Sequence, residues 1–157
     1  MRYTYNLMEE YVKKMYNTIG IYLPHQLDME SIAARLGTTL IYLPYGSMTV
    51  GNAILIDIRL SPTAQWQEFG HELCHVEWHD GNQRVLPSSF LEYQEWKASN
   101  FAYHACVPTF MLDRMNLPSS EVKAIFVVQE TFNVDYEFAK KRLNQYLSNT
   151  YHYSQSM

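Results

Sequence analysis

Two histidines one helical turn apart, with a glutamate directly after the first, can bind a metal ion and move a proton beside it. This sequence carries that set as His71-Glu72-Leu73-Cys74-His75. At about 100° per residue, His71 and His75 lie about 40° apart on one helical face. Both imidazole nitrogens can then approach one ion at about 2.0–2.1 Å. Glu72 sits about 100° round from His71, where it can reach a water at such an ion without ligating the ion itself. The opposite face is apolar, because Trp66, Phe69, Leu73 and Val76 follow a 3-4-3 spacing. HExxH alone leaves open a bland alternative, a solvated helix face with scattered, inert histidines. The phase relation, with a core stripe opposite the histidines, weighs against it.

A catalytic zinc site takes three protein ligands and keeps one position open. The candidates for the third ligand differ in merit. A metzincin would place its third histidine where Gly81 stands, so that class fails. His79 lies near the predicted helix end, where a favourable interaction with the helix dipole suffices to explain it, although it could orient water or substrate. The remaining option is a carboxylate on the next helix. Glu95 fits, because Ala98, Ala102 and Ala105 share its face and would let that helix pack closely on the first. Glu92 is the rival, one turn earlier. Cys74 and Cys106 stand far apart and never in a CxxC pair, which disfavours a Cys₂His₂ site.

Other elements must hold this pair of helices in place. Apolar residues at Leu7, Met8, Tyr11, Val12 and Met15 predict a first helix within 3–18, ended by Gly20. Asp28 reads as the N-cap of MESIAARL and Gly37 as its C-terminal stop. Thr38–Leu43 and Ala53–Ile58 read as strands, with a turn at Pro44-Tyr45-Gly46-Ser47 and further pairing through Met48–Val50. Their connections are too short for helical crossovers, so the expected sheet is small and mostly antiparallel. Ser61 caps and Pro62 opens the HExxH helix, which is expected to run to about His79 and stop at Asp80-Gly81-Asn82. A second long helix follows Pro87-Ser88-Ser89 and ends near Cys106, before Pro108. Pro118-Ser119-Ser120-Glu121 opens a third, and Asp135 caps a fourth through Leu147. The fold class expected is α+β, a minimal zincin-like arrangement in which the sheet packs on the HExxH helix and several further helices. Residues 1–157 read as one domain, its ending from about residue 150 loose.

Composition sets the outer bounds. With 47% apolar and 18% charged residues, the chain has material for a core and is not globally disordered. Twelve basic against sixteen acidic side chains argue against direct nucleic-acid binding through the bulk surface field. Asp28–Gly37 and Glu121–Arg142 have a loose helix-turn-helix look, but neither carries a basic recognition helix, and Glu130, Asp135 and Glu137 crowd the second. Two cysteines make no disulfide framework, and there is neither a signal-peptide stretch nor a membrane span. These features predict a soluble, reduced, cytoplasmic protein.

The run Leu60-Ser61 through Phe69-Gly70-His71-Glu72-Leu73-Cys74-His75 to His79, followed by Glu95-Trp96-Lys97-Ala98-Ser99-Asn100-Phe101-Ala102 and Pro108, resembles the ImmA/IrrE family of metallopeptidases. The family pattern is HELGHxxxH, then ExxAxxFA leading to a Pro, and the likeness spans about residues 28–145. Carried over by position, the resemblance implies His71, His75 and Glu95 as ligands of Zn²⁺ and Glu72 as the catalytic carboxylate. Cys74 replaces the family's usual Gly, and Cys106-Val107-Pro108 replaces a Leu-Met-Pro-like ending. The resemblance further implies that the protein partner is a DNA-binding repressor of a phage or mobile element, cleaved to relieve repression.

Two readings of function follow. The first is a zinc-dependent endopeptidase acting on an intracellular protein, with Glu72 taking the water's proton and passing it to the leaving amine. Tyr103, His104 and Arg142 are candidate donors to the tetrahedral oxyanion, and Asn100 is a candidate outer partner of a ligand. The second is a zinc-containing interaction protein that binds a transcriptional regulator without cutting it. In that reading Glu72 has no purpose.

Overall fold

The computed structural model describes residues 5–78 and 88–155, with side chains described for 5–78 and 94–149. Helix α1 spans Leu7–Thr18, and a 3-10 turn at Pro24–Gln26 leads to α2, Met29–Leu36. Strands β1 (Thr39–Leu43), β2 (Met48–Val50) and β3 (Ala53–Asp57) precede α3, Pro62–Glu77. Then come α4 (Ser88–Cys106), α5 (Thr109–Leu112), α6 (Glu121–Phe132) and α7 (Tyr136–Gln155). No helix among the described residues is long and apolar enough to cross a membrane.

The predicted caps form. Asp28 accepts from the Ser31 amide at 2.9 Å, and Gly37 closes α2 with φ 74°, a conformation that favours glycine. Ser61 accepts from the Ala64 amide at 3.2 Å, with Pro62 opening α3. Asp135 accepts from the Phe138 amide at 2.8 Å at the start of α7. A reciprocal cap at α1 went unread in the sequence: the Asn6 side chain accepts from the Glu9 amide, and Glu9 accepts from the Asn6 amide, both at 2.8 Å. Helix α5 was also unexpected, being a single turn too short for periodicity to reveal. Helix α7 continues to Gln155, beyond the expected end at Leu147 and in place of the irregular ending expected from about residue 150. The expected stop at Asp80-Gly81-Asn82 lies outside the described residues.

The sheet is the main correction to expectation. Its order is β1-β3-β2, and it is mixed rather than mostly antiparallel. β1 runs parallel to β3 from Thr39↔Ala53 to Leu43↔Asp57, and only β2 is antiparallel to it. No helical crossover is needed, because the chain crosses the top of the sheet at 44–47, descends as β2, and returns as β3 in the middle. That top crossing spans two strand spacings, about 9.6 Å, well within the reach of four extended residues.

Pairing puts Leu40, Ile54 and Thr49 in one row. Ile54 and Ile56 are fully buried in the core that this face shares with Trp66, Phe69 and Leu73 of α3. On its other flank α3 packs against α4 as an antiparallel pair. His71 meets Glu95 near the start of the described part of α4, and Trp66 meets Cys106 at its end. The approach is closest at Gly70, where a Cβ would stand 2.9 Å from Cys106 Sγ and 3.2 Å from Ala102 Cα. Ala98, Ala102 and Ala105 are all buried, as their small size requires.

Cross-links of hydrogen bonds hold the helix pair in place. Tyr16 donates to the Ala105 carbonyl at 2.6 Å, and the Trp66 indole donates to the Phe132 carbonyl at 3.0 Å. Fully buried Arg142 donates to the Val107 carbonyl at 2.9 Å and to Thr109 Oγ1 at 2.7 Å. Thr109 in turn donates to Glu9 at 2.9 Å. A guanidinium and a carboxylate are thereby linked through one hydroxyl, as buried charged groups require.

Gly70→Ala tests the closeness of the helix pair. The added methyl should lower stability by about 1–3 kcal/mol through overpacking, despite alanine's better helix propensity. Adding Cys106→Ala should recover part of the loss in denaturant unfolding. A Gly70→Ala protein as stable as the parent would contradict this packing.

Candidate metal centre

Helix α3 presents His71 and His75 from successive turns, their ring centroids 5.3 Å apart. Glu95 of α4 reaches between them. Its Oε2 lies 2.9 Å from His71 Nε2 and its Oε1 lies 3.0 Å from His75 Nε2. One ligand atom from each residue falls within 4.8 Å of the others. Two imidazole nitrogens and a carboxylate oxygen form a donor set suited to zinc. Ligand atoms of a tetrahedral ion at 2.0–2.1 Å stand about 3.3 Å apart, and the two Glu95–imidazole contacts lie within a few tenths of an ångström of that spacing. The three residues therefore fit a metal ion. The imidazoles are mostly shielded, while the Glu95 side chain is 56% exposed, so the cluster faces solvent on the α4 side.

The end of α3 beyond His75 is well anchored. Trp78 packs at 4.2 Å from the Tyr11 ring and 5.0 Å from that of Phe101, with the Lys97 ammonium 4.3 Å from its centroid. Tyr11 also donates to Glu77.

Glu72 lies about 100° round the helix from His71, on the adjacent face, and is buried at 7% exposure. Its Oε2 accepts a hydrogen bond of 2.7 Å from Thr49 Oγ1. The Thr49 hydroxyl has a single proton, so its 3.1 Å approach to the Glu72 carbonyl is a secondary contact. Thr49 was not singled out in the sequence. No sequence signal marks it, since the apolar–polar–apolar run Met48-Thr49-Val50 would by alternation turn Thr49 outward. In the structure Thr49 is the half-buried residue, and Met48 and Val50 are exposed.

The other sequence candidates separate clearly. Arg142 is committed to Val107 and Thr109 in the interior, which removes it as an oxyanion donor. His104 is buried, its Nδ1 3.0 Å from the Asn100 carbonyl, and burial, reinforced by the Arg142 charge, depresses its pKa to about 4. It is neutral near pH 7 and lies on the face of α4 opposite Glu95. Asn100 is engaged with His104 and with Gln145, whose amide donates to Asn100 Oδ1 at 3.3 Å, so it does not support a metal ligand. Tyr103 alone of the oxyanion candidates lines the same groove as His71. Burial pushes the Cys74 thiol up to about 12, and Cys74 is not in the ligand cluster, so it packs as a neutral thiol. His79 and the Glu92 side chain lie outside the described residues.

The profile of a peptidase family, described as the IrrE N-terminal-like domain, matches residues 24–144. The chain belongs to this family. Among its relatives is the phage-like element PBSX protein XkdA of Bacillus subtilis, 43% identical over 143 residues that cover 88% of this chain and 72% of XkdA. Another is the uncharacterized protein YqaB of Bacillus subtilis, 38% identical over 150 residues, covering 93% of this chain and 87% of YqaB. A Mycobacterium tuberculosis transcriptional regulator shares the fold, with a TM-score of 0.61 at 17% identity. The match covers 87% of this chain but only 46% of that regulator. As an IrrE-like chain, the protein is of metallopeptidase type, and its family and donor set both point to a metal ion.

Thr49→Val should leave the buried Glu72 carboxylate without this donor and lower stability by about 1–3 kcal/mol. Thr49→Ser should restore most of it in denaturant unfolding. Equal stability of the valine variant and the parent would show that the contact does not hold Glu72.

Proposed function

We propose that the protein is a zinc-dependent endopeptidase that hydrolyses a peptide bond in an intracellular protein, with a phage or mobile-element repressor as its substrate. The observation that carries this reading is the meeting of His71, His75 and Glu95 at one point, with the buried carboxylate of Glu72 on the adjacent face of the same helix. A structural zinc site has four protein ligands, and Glu72 would serve no purpose in one. The kinship with XkdA of a phage-like element supports the setting, and a transcriptional regulator among proteins of the same fold is compatible with a regulatory role.

In this reading His71, His75 and Glu95 would hold the ion. Zinc bound there supplies a Lewis acid that polarises the scissile carbonyl and makes a water nucleophilic near neutral pH. Glu72 accepts the proton that the attacking water gives up and delivers it to the leaving amine, so the carboxylate is regenerated at the end of each cycle. Thr49 donates to Glu72 Oε2 at 2.7 Å and so orients the carboxylate for that transfer. The helix pair and its sheet act together as one peptidase domain.

The test mixes the zinc-loaded protein with the repressor encoded beside it, with and without a chelator. Chelator-sensitive fragments are expected, and a bound but intact repressor would favour a non-catalytic interaction protein instead. Glu72→Gln should slow cleavage by about a hundredfold or more with zinc content unchanged, and full activity in that variant would contradict the assignment. Glu95→Ala should lower zinc content measured after dialysis, whereas Glu92→Ala should not. The reverse pattern would make Glu92 the third ligand.

A further inference from the structure

On the face of α4 opposite Glu95, a cavity of about 480 Å³ lies between α4, α7 and the start of α1. Every described side chain that lines it is polar, and none is a carboxylate. Asn100, His104 and Gln145 are its more buried residues and form the floor, while Lys141, Ser148 and Asn6 are exposed at the rim. His104 is the deepest, only 3% exposed.

Two buried acceptors at this floor, His104 Nε2 and Gln145 Oε1, have no partner among the described residues. Asn100 fixes both roles. Its carbonyl can only accept, so His104 Nδ1, 3.0 Å away, carries the proton and Nε2 keeps the lone pair. Gln145 donates its amide nitrogen to Asn100 Oδ1 at 3.3 Å, which leaves its oxygen as the second acceptor. An unmatched buried acceptor costs the hydration it has given up, so a donor placed between these two is favoured. The charges select which donor. Arg142 behind His104 and Lys141 at the rim are positive, and no acid lines the cavity, so a cation is disfavoured. His104 is itself neutral near pH 7, so the two lone pairs also disfavour a carboxylate head.

We propose that this cavity binds a primary carboxamide, the group that ends a glutamine side chain. A carboxamide nitrogen offers two N–H donors without carrying a charge, one for His104 Nε2 and one for Gln145 Oε1. The volume lies within the range of small-molecule sites. Admitting the head asks the floor to give slightly, and the half-buried Gln145 amide, held to Asn100 by a long bond of 3.3 Å, can turn to do so. The site stands on the far side of α4 from the His71–His75–Glu95 cluster and does not depend on the peptidase reading.

Titrating the isotope-labelled, zinc-loaded full chain and following the side-chain amide signals of Asn100 and Gln145 by NMR tests this site. The probes are L-glutamine, L-glutamate and L-methionine, each free and as its N-acetyl, N-methylamide form. Each form of glutamine should bind at least about tenfold more tightly than its glutamate and methionine counterparts, which bring a charge or no donor. The two forms separate the sources: tighter binding of the free form marks a small amino acid, tighter binding of the capped form marks a peptide side chain, and both support the site. Gln145→Met removes one acceptor and should weaken glutamine at least about fivefold. If that variant does not fold, Ser148→Trp, which narrows the exposed mouth, takes its place with the same expected loss. No shift with either form of glutamine, equal affinity for glutamine, glutamate and methionine, or an affinity unchanged by these substitutions overturns the proposal.

Discussion

The meeting of His71, His75 and Glu95 follows from how closely α3 and α4 approach. A carboxylate on one helix can bridge two imidazoles on another only if the backbones come near enough, and Gly70 against Ala102 and Cys106 sets that distance. Glu95 then spans His71 and His75 at 2.9 and 3.0 Å. Along the same seam, residues small enough to permit contact also leave the groove beside His71 open. Cys106 belongs to this seam as packing: its thiol donates to the Trp66 carbonyl at 3.6 Å and fills the space that a larger Gly70 would need. Cys74 is packing of the same kind, since burial keeps its thiol protonated.

The remaining elements brace this pair from three sides. The sheet lies along α3 and supplies Thr49 to Glu72, so Glu72 and the His71–His75–Glu95 cluster sit on neighbouring faces of the pair with separate supports. Tyr11 and Tyr16 of α1 grip the two ends of the pair, one at Glu77 and Trp78, the other at Ala105. The Glu9–Thr109–Arg142 chain ties α1, α5 and α7 beneath it. Polar groups that looked available for chemistry in the sequence, Arg142 and His104, are used in this bracing.

The local signals that the sequence displays most strongly are those that depend on neighbours in the chain. The caps at Asp28, Ser61 and Asp135, the stop at Gly37 and the phase of His71, Glu72 and His75 are all of this kind, and each is realised in the structure. Strand order is not local. Nothing in Thr38–Ile58 distinguishes a meander from a strand that returns between its two predecessors, so the parallel pairing of β1 with β3 was missed. The partner of Glu72 was hidden for the same reason, because Thr49 meets it only across the sheet–helix interface. Glu95 was legible as a candidate because Ala98, Ala102 and Ala105 mark the face that packs on α3. Its preference over Glu92 needed the family resemblance. The burial of Arg142 had no sequence signal, since a basic residue late in a helix reads as surface until its partners at Val107 and Thr109 are known.

The proposed function requires that His71, His75 and Glu95 together hold a zinc ion. X-ray absorption at the zinc edge of the loaded protein tests it directly. A first shell of nitrogen and oxygen alone is expected at about 2.0–2.1 Å, with outer-shell scattering from two imidazoles. A sulfur shell at about 2.3 Å would bring a cysteine into the coordination sphere. That result, or scattering from fewer than two imidazoles, would contradict the centre described.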